Sequence, residues 1–168
     1  MPVGPHPPPW PDDARLDPDL LAAGDTRNVV DQYRYWRLEA IVADLNTRRS
    51  PLHVAIENLE HDLNIGSIVR TANAFNVAGV HIVGRRRWNR RGAMVTDAYL
   101  TVTHHPDPGD LVEWARGSGL PILAIDNIPT AVPLEGYRMP AACVLLFGQE
   151  GPGLSPAALA GADAVLSI

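Results

Sequence analysis

Residues 64–84 read NIGSIVRTANAFNVAGVHIVG, and the reading of this stretch decides the fold. Asn64 is a favourable helix N-cap, because its side-chain oxygen can accept from a free amide of the first turn. Ile68, Ala72 and Phe75 then recur at helical spacing, with Ile65 and Val69 beside them. Gly66, Ser67, Arg70 and Asn73 fall on a second face, three and four residues apart. Helix and loop end near Gly79, and Val80-His81-Ile82-Val83 predicts a strand. One short unit therefore combines helix N-terminal amides, a guanidinium and two carboxamides. That set suits a phosphate or another oxygen-rich ligand. The plainer alternative is a surface helix that happens to carry an arginine and two asparagines.

A second stretch, residues 143–154, reads CVLLFGQEGPGL: an apolar strand, then three glycines and a glutamate. The glycines run G-x-x-G-x-G, and no G-K-[ST] follows, so neither a dinucleotide fingerprint nor a P-loop is present. What remains is a strand followed by a turn of little side-chain bulk, where backbone can approach a flat ligand closely. Ligands of α/β sheets gather at the carboxyl ends of strands. Two more segments fall at such ends: Asp126-Asn127, after a strand that includes Ala124, and the last residue, Ile168. For a glycine turn taken alone, simple turn geometry is the competing explanation.

The rest of the chain fits the same architecture. Residues 53–57, 99–103, 120–125, 143–147 and 164–168 are strand-like. Residues 110–116 predict a helix with Leu111, Trp114 and Ala115 inward, and Ser155 with Pro156 starts another. Strands alternating with helices imply an α/β domain with a mostly parallel sheet flanked by helices. The domain spans residues 51–168. Before it, residues 1–27 form a Pro-rich, largely irregular segment with six prolines in residues 1–11 and a brief helix among residues 12–25. Residues 28–50 form a helical extension, with one apolar stripe through Tyr33, Trp36, Ile41 and Leu45 over residues 28–46. Arg34, Arg37, Arg48 and Arg49 lie in or just after it, either as a solvated basic face or as a grip on RNA.

Composition narrows the function. The chain has 168 residues, 46% hydrophobic and 20% charged, an ordinary globular balance. Its net charge is −5, so any contact with nucleic acid must be local. The densest basic stretch is Arg85-Arg86-Arg87-Trp88-Asn89-Arg90-Arg91, where five arginines flank a tryptophan. It suits RNA phosphates and a stacked base, or else is a solvated loop over a packed Trp88. The single cysteine, Cys143, excludes an internal disulfide and fits a reducing compartment, the cytoplasm. No apolar run approaches the ~20 residues of a membrane helix, and the Pro-rich start does not resemble a secretory signal. His104-His105 has no companions at metal-ligand spacing, so no metal site is expected.

The two motifs, in this order, closely resemble the SpoU (TrmH-like) branch of the SPOUT RNA 2'-O-ribose methyltransferases. The first lies in Asn64-Ile65-Gly66, Arg70-Thr71-Ala72 and Phe75. The second is Phe147-Gly148-Gln149-Glu150-Gly151-Pro152-Gly153-Leu154, and the resemblance covers about residues 52–168. It implies a trefoil-knot fold, S-adenosylmethionine as cofactor, RNA as substrate (tRNA favoured over rRNA) and a homodimer paired through cofactor-side helices. The cofactor would be held by backbone groups of three loops, giving Gly148, Gly151, Gly153, Ala124, Asp126, Asn127 and Ile168 as cofactor-binding. Arg70, Asn64 and Glu150 would be catalytic, and Arg85, Arg86, Arg87, Arg90 and Arg91 would bind RNA. The family's third motif, with a Ser and an Asn, follows the position matching Ile168. The resemblance therefore implies a fragment with an incomplete knot, which by itself should bind cofactor weakly or not at all.

The reaction implied is methyl transfer from a sulfonium to a ribose 2'-hydroxyl, which needs in-line alignment and loss of a proton. A guanidinium, with a pKa above ~12, is a poor base. Arg70 is therefore expected to orient the target phosphate and stabilise oxyanion charge. The proton acceptor is a phosphate oxygen, a water or Arg70 itself. Asn64 positions the nucleotide or braces its loop. Glu150 ties the motifs together through Asn64 or Arg70, or accepts turn amides. The competing functions are a non-catalytic RNA-binding relative of the same fold and an enzyme acting on rRNA.

Overall fold

The structure, a computed structural model, describes residues 2–59 and 64–168. Contacts divide the chain into two compact units, Met1–Arg48 and Arg49–Ile168.

In the first unit, α1 (Pro18–Ala23) starts at Asp17, whose side chain caps Asp19 N, with Pro18 at the first helical position. The Pro-rich start is extended and hydrogen-bonded: Val3 and Asp25 exchange both backbone bonds at 2.9 Å, and His6 N donates to Leu21 O. The single helix expected over residues 28–46 is not formed. A short 3-10 turn (Asp31–Tyr33) is followed by Tyr35 at φ 62, and α2 (Leu38–Asn46) begins after that. The break is tertiary in origin. The buried Asp25 carboxylate accepts from Arg27 Nε at 2.9 Å and from Tyr35 N at 3.0 Å, which bends the chain around it. Arg27 in turn holds the Asp25 carboxyl well below the usual range, at about 2.

Carbonyls and carboxylates engage the four arginines of this region, while Arg37 and Arg48 stay exposed. Arg34 donates to Arg27 O at 2.6 Å and Arg37 to Leu16 O at 3.0 Å. Arg48 pairs with Asp44 at 2.8 Å and with the Tyr33 hydroxyl. Arg49, in the second unit, donates to Tyr99 O at 2.6 Å and Val77 O at 3.2 Å.

The second unit carries β1 (Ser50–Asn58), α3 (Ile65–Ala74), β2 (Val77–Gly84), β3 (Val102–His105), α4 (Pro108–Gly117), β4 (Ile122–Ile125), β5 (Val132–Pro133), β6 (Cys143–Phe147), α5 (Pro156–Gly161) and β7 (Ala164–Ser167). The strands form one sheet in the order β3-β2-β1-β6-β4-β7-β5, and every pairing is parallel. Helix α3 covers one face through Ile65, Val69 and Ala72 against Val54, Ile56, Val80 and Ile82. On the other face, Leu111 and Ala115 of α4 and Ala158 of α5 pack on Ala55, Val83, Ala124, Val144 and Leu146. The unbroken apolar run of β6 predicts cover on both faces, but only the α4–α5 face is fully covered. Val144 and Leu146 are buried there, while Leu145 and Phe147 on the other face are partly buried and line an apolar cavity beside α3.

Two local expectations shift, and one strand was not expected. The strand expected at residues 99–103 begins at Val102, because Thr96–Tyr99 is a 3-10 turn. Phe75 does not join the buried stripe: it is the C-cap of α3 and 71% exposed, since a residue past the last helical turn leaves the helix face. The two-residue β5 carried no sequence signal, and Pro133 is tolerated there because β5 is an edge strand.

His53, His81 and His105, on adjacent strands β1, β2 and β3, form a row. His53 Nδ1 lies 3.0 Å from His81 Nε2, and His81 Nδ1 lies 2.9 Å from His105 Nε2. Trp114 of α4 packs on the middle ring at 4.1 Å. Both His81 nitrogens are engaged and the ring is buried. Desolvation, with His105 and His53 beside it, pushes its pKa down to about 3. Among the described residues, no cluster of His, Cys, Asp or Glu could hold a metal ion. No helix among them is long and apolar enough to cross a membrane.

Candidate functional site

Strands β1, β6, β4 and β7 are neighbours in the sheet and run the same way, so their carboxyl ends share one edge. The sequence returns to this edge four times, at Asn58, Phe147, Ile125 and Ser167. A cavity of about 270 Å³ opens there. Ile125, Asp126 and Asn127 line one side, the loop from Phe147 to Gly153 another, and Ile168 a third. Ala124 does not reach the cavity: its side chain is buried under α4 and α5, and the alternation along β4 presents Ile125 instead.

The glycine loop is closed at its base. Gln149 N donates to Gly153 O and Gly153 N to Gln149 O, each at 3.1 Å, leaving Glu150, Gly151 and Pro152 at the tip. Two glycines are required by contact. A Cβ on Gly148 would lie 2.5 Å from Gly153 O and Leu154 N. A Cβ on Gly153, at φ 70, would lie 2.7 Å from Asp126 Oδ2. Asp126 is committed to the loop, since its Oδ2 accepts from Leu154 N at 2.9 Å. Asn127 Oδ1 accepts from Ile168 N at 3.1 Å, tying Ile168 to the segment that follows β4.

The two motifs meet through their polar side chains. Asn64 Nδ2 donates to Glu150 Oε2 at 2.7 Å, although 86 residues separate them. The expected capping role of Asn64 is not seen: its backbone is already helical, at φ −77 and ψ −19, and its side chain makes no cap bond. Gly66 is likewise not on an open ligand face. It is buried, and a Cβ there would lie 2.7 Å from the Gly92 Cα, so the start of α3 packs backbone to backbone on the arginine loop. Arg70 stands exposed on α3, and its side chain makes no hydrogen bond or ion pair among the described residues.

The arginine loop has its own supports. Asn89 Oδ1 accepts from Arg91 N at 3.0 Å, starting the turn Arg90–Ala93. Arg85, Arg86, Arg87 and Arg91 are exposed, with no side-chain partner among the described residues. Arg90 differs, lying 3.4 Å from Asp97 and 5.6 Å from the partly buried Trp88 ring. Met94 and Val95, both at positive φ and both about 70% exposed, form the tip that follows.

Sequence reasoning gave no site role to Glu57, Asn58 or Gly92, and placed Phe147 and Gln149 in the second motif without assigning them one. Glu57 carried a readable signal: a carboxylate closing an apolar run that is buried on both faces must find donors. It accepts from Ser155 N at 2.8 Å and Ser155 Oγ at 2.6 Å and is completely buried.

Comparison with known proteins agrees with this architecture. Residues 51–168 match the model of the SpoU rRNA Methylase family. The chain is 33% identical over 128 residues to the tRNA (guanosine(18)-2'-O)-methyltransferase of Escherichia coli K12, covering 74% of this chain and 56% of that protein. It is 30% identical over 169 residues to an uncharacterized tRNA/rRNA methyltransferase of Mycolicibacterium vanbaalenii, covering 92% and 52%. The chain thus spans about half the length of the curated relatives it matches. Among solved structures, the A. aeolicus TrmH/SpoU tRNA modifying enzyme superposes with a TM-score of 0.66 at 23% identity, over 79% of this chain and 69% of that one. The SpoU methyltransferase AviRb of Streptomyces viridochromogenes, solved with AdoMet, gives 0.61 at 26% identity, over 72% and 49%. The parallel sheet flanked by helices is the SPOUT-type architecture that the two motifs led one to expect.

Proposed function

The chain belongs to the SpoU rRNA Methylase family, and from that premise we propose that the natural protein is an S-adenosylmethionine-dependent methyltransferase acting on a ribose 2'-hydroxyl of RNA, tRNA rather than rRNA. The observation that carries the reading is the Asn64–Glu150 bond. It joins a helix bearing an exposed arginine, Arg70, to a glycine loop that walls a cavity at the carboxyl edge of the sheet. The curated relative from E. coli acts on tRNA, which favours tRNA here.

The cavity fits the cofactor by its build. Its glycine wall has no room for a Cβ at Gly148 or Gly153, so backbone amides and carbonyls are what it offers a ligand. In this reading Gly148, Gly151, Gly153, Asn127 and Ile168 hold the cofactor. Asp126 holds the loop that does so, and Ala124 contributes only as part of β4. When bound, the cofactor supplies a methyl group already activated on a sulfonium. Arg70 orients the phosphate beside the target ribose and stabilises negative charge growing on the 2'-oxygen. Asn64 and Glu150 brace α3 against the glycine loop, so that donor and acceptor sides keep a fixed separation. Arg85, Arg86, Arg87 and Arg91 draw in the RNA backbone. Arg90, already paired with Asp97, contributes less. The protein works as a homodimer in the cytoplasm, where its substrate is found.

The test is incubation of the full-length natural protein with methyl-labelled cofactor and total RNA, followed by mapping of the 2'-O-methyl position. Label at a single tRNA ribose is expected. Label confined to rRNA would replace the substrate. Binding of RNA without any label would make the protein a non-catalytic RNA-binding relative.

A further inference from the structure

β1 ends in two consecutive buried polar residues, and alternation along the strand sends their side chains to opposite faces of the sheet. Glu57 follows Ala55 onto the α4–α5 face and Asn58 follows Ile56 onto the α3 face. Each reaches a different functional loop.

Glu57 accepts both donors of Ser155, the backbone N at 2.8 Å and Oγ at 2.6 Å. The neighbouring amide, Leu154 N, goes to Asp126 at 2.9 Å. Two carboxylates from the ends of β1 and β4 thus hold successive amides where the glycine loop rejoins the fold. Ser155 is also the N-cap of α5, with Oγ accepting from Ala158 N at 3.2 Å, so Glu57 fixes loop and helix at one point.

Asn58 Nδ2 donates to Arg85 O at 2.6 Å and to Arg87 O at 3.1 Å. Its backbone oxygen accepts from Arg85 N at 2.8 Å across the Gly84 turn, where a Cβ would lie 2.8 Å from that oxygen. The two carbonyl acceptors identify which end of the carboxamide is nitrogen. Its Oδ1 is buried and has no partner among the described residues. Its two donors shape the backbone carrying Arg85, Arg86 and Arg87.

We propose that Glu57 and Asn58 are a divided pair of positioning residues, Glu57 setting the cofactor loop and Asn58 setting the RNA loop, each without effect on the other. The division rests on the function proposed above, while the geometry it uses does not. It differs from a general structural role, which would weaken both loops together.

The experiment takes the full-length protein with Glu57→Gln, Asn58→Leu and Ser155→Ala. It measures cofactor affinity by calorimetry, affinity for bulk tRNA by anisotropy, and backbone hydrogen exchange without ligand. Glu57→Gln should speed exchange at Leu154 and Ser155 and weaken cofactor binding by about tenfold, the scale of one charge-assisted hydrogen bond, with RNA affinity unchanged. Ser155→Ala should reproduce this, and the double variant should add little to either single one. Asn58→Leu should speed exchange over residues 85–88 and weaken RNA binding by about three- to tenfold, with cofactor affinity unchanged. If Glu57→Gln fails to fold, Ser155→Ala scores that half; if Asn58→Leu fails, Asn58→Ser scores the other. Variants that shift both affinities together, or neither, overturn the division. If the wild-type protein binds neither ligand, the functional reading falls and exchange alone decides the pair: changes confined to each residue's own loop support it, and shared or absent changes overturn it.

Discussion

Acid should weaken the second unit through its histidine row, and His81 sets the size of the effect. Its ring is buried, both nitrogens are within 3.0 Å of neighbouring imidazoles, and burial lowers its pKa from 6.5 to about 3. The folded state therefore binds this proton less readily than the unfolded chain. The ring's contribution is fully present above 6.5 and is lost progressively as the pH falls toward 3. Integrating between about pH 7 and about pH 5 gives a loss of about 2 kcal/mol from His81 alone. His53 and His105 are also lowered by burial and add in the same direction, with Asp110 opposing the shift at His105. The carboxyls of Asp13 and Asp25, held at about 2, begin to protonate only below this window. The assay is urea unfolding of wild type and His81→Gln across the interval, followed by circular dichroism. The variant should be less stable near neutral pH by about 1 to 3 kcal/mol, because two imidazoles lose a partner, but should lose about 2 kcal/mol less on acidification. A wild-type protein equally stable at both ends of the interval would refute the argument, as would a variant with an undiminished acid loss.

Arg70→Ala and Arg70→Lys should both abolish methyl transfer while cofactor affinity and melting temperature stay near wild type, since a point charge does not replace a planar fork; turnover near normal in either variant removes Arg70 from the reaction. Replacing Arg85, Arg86 and Arg87 with Ala should reduce the salt dependence of RNA binding by roughly 0.7 to 0.9 in log–log slope per lost phosphate contact. An unchanged slope would mean that these side chains do not touch the RNA backbone. Gly148→Ala should abolish cofactor binding measured by calorimetry, because its Cβ would meet Gly153 and Leu154 backbone at 2.5 Å and force the loop open.

The amino-acid sequence by itself determined the architecture and the identity of the two motifs. Alternating apolar strands and amphipathic helices imply a parallel α/β sheet, and the glycine order disfavours a dinucleotide enzyme. Ser155 with Pro156 announced the start of α5, and Cys143–Phe147 was legible as an apolar strand, although its cover is complete on one face only. These signals act over a few residues, through periodicity, capping and backbone propensity. Only the tertiary structure decided what the polar residues do. Asn64 looks like a cap, yet bonds Glu150. Gly66 looks like an open ligand face, yet packs on Gly92. The stripe over residues 28–46 looks like one helix, yet Asp25 bends it at Tyr35. Glu57 meets Ser155 across 98 residues, and three histidines far apart in the chain form one row. Such pairs follow from strand order, with β6 inserted beside β1 and β3 beside β2. That order is set by burying both faces of the whole sheet, and no local stretch of sequence carries it.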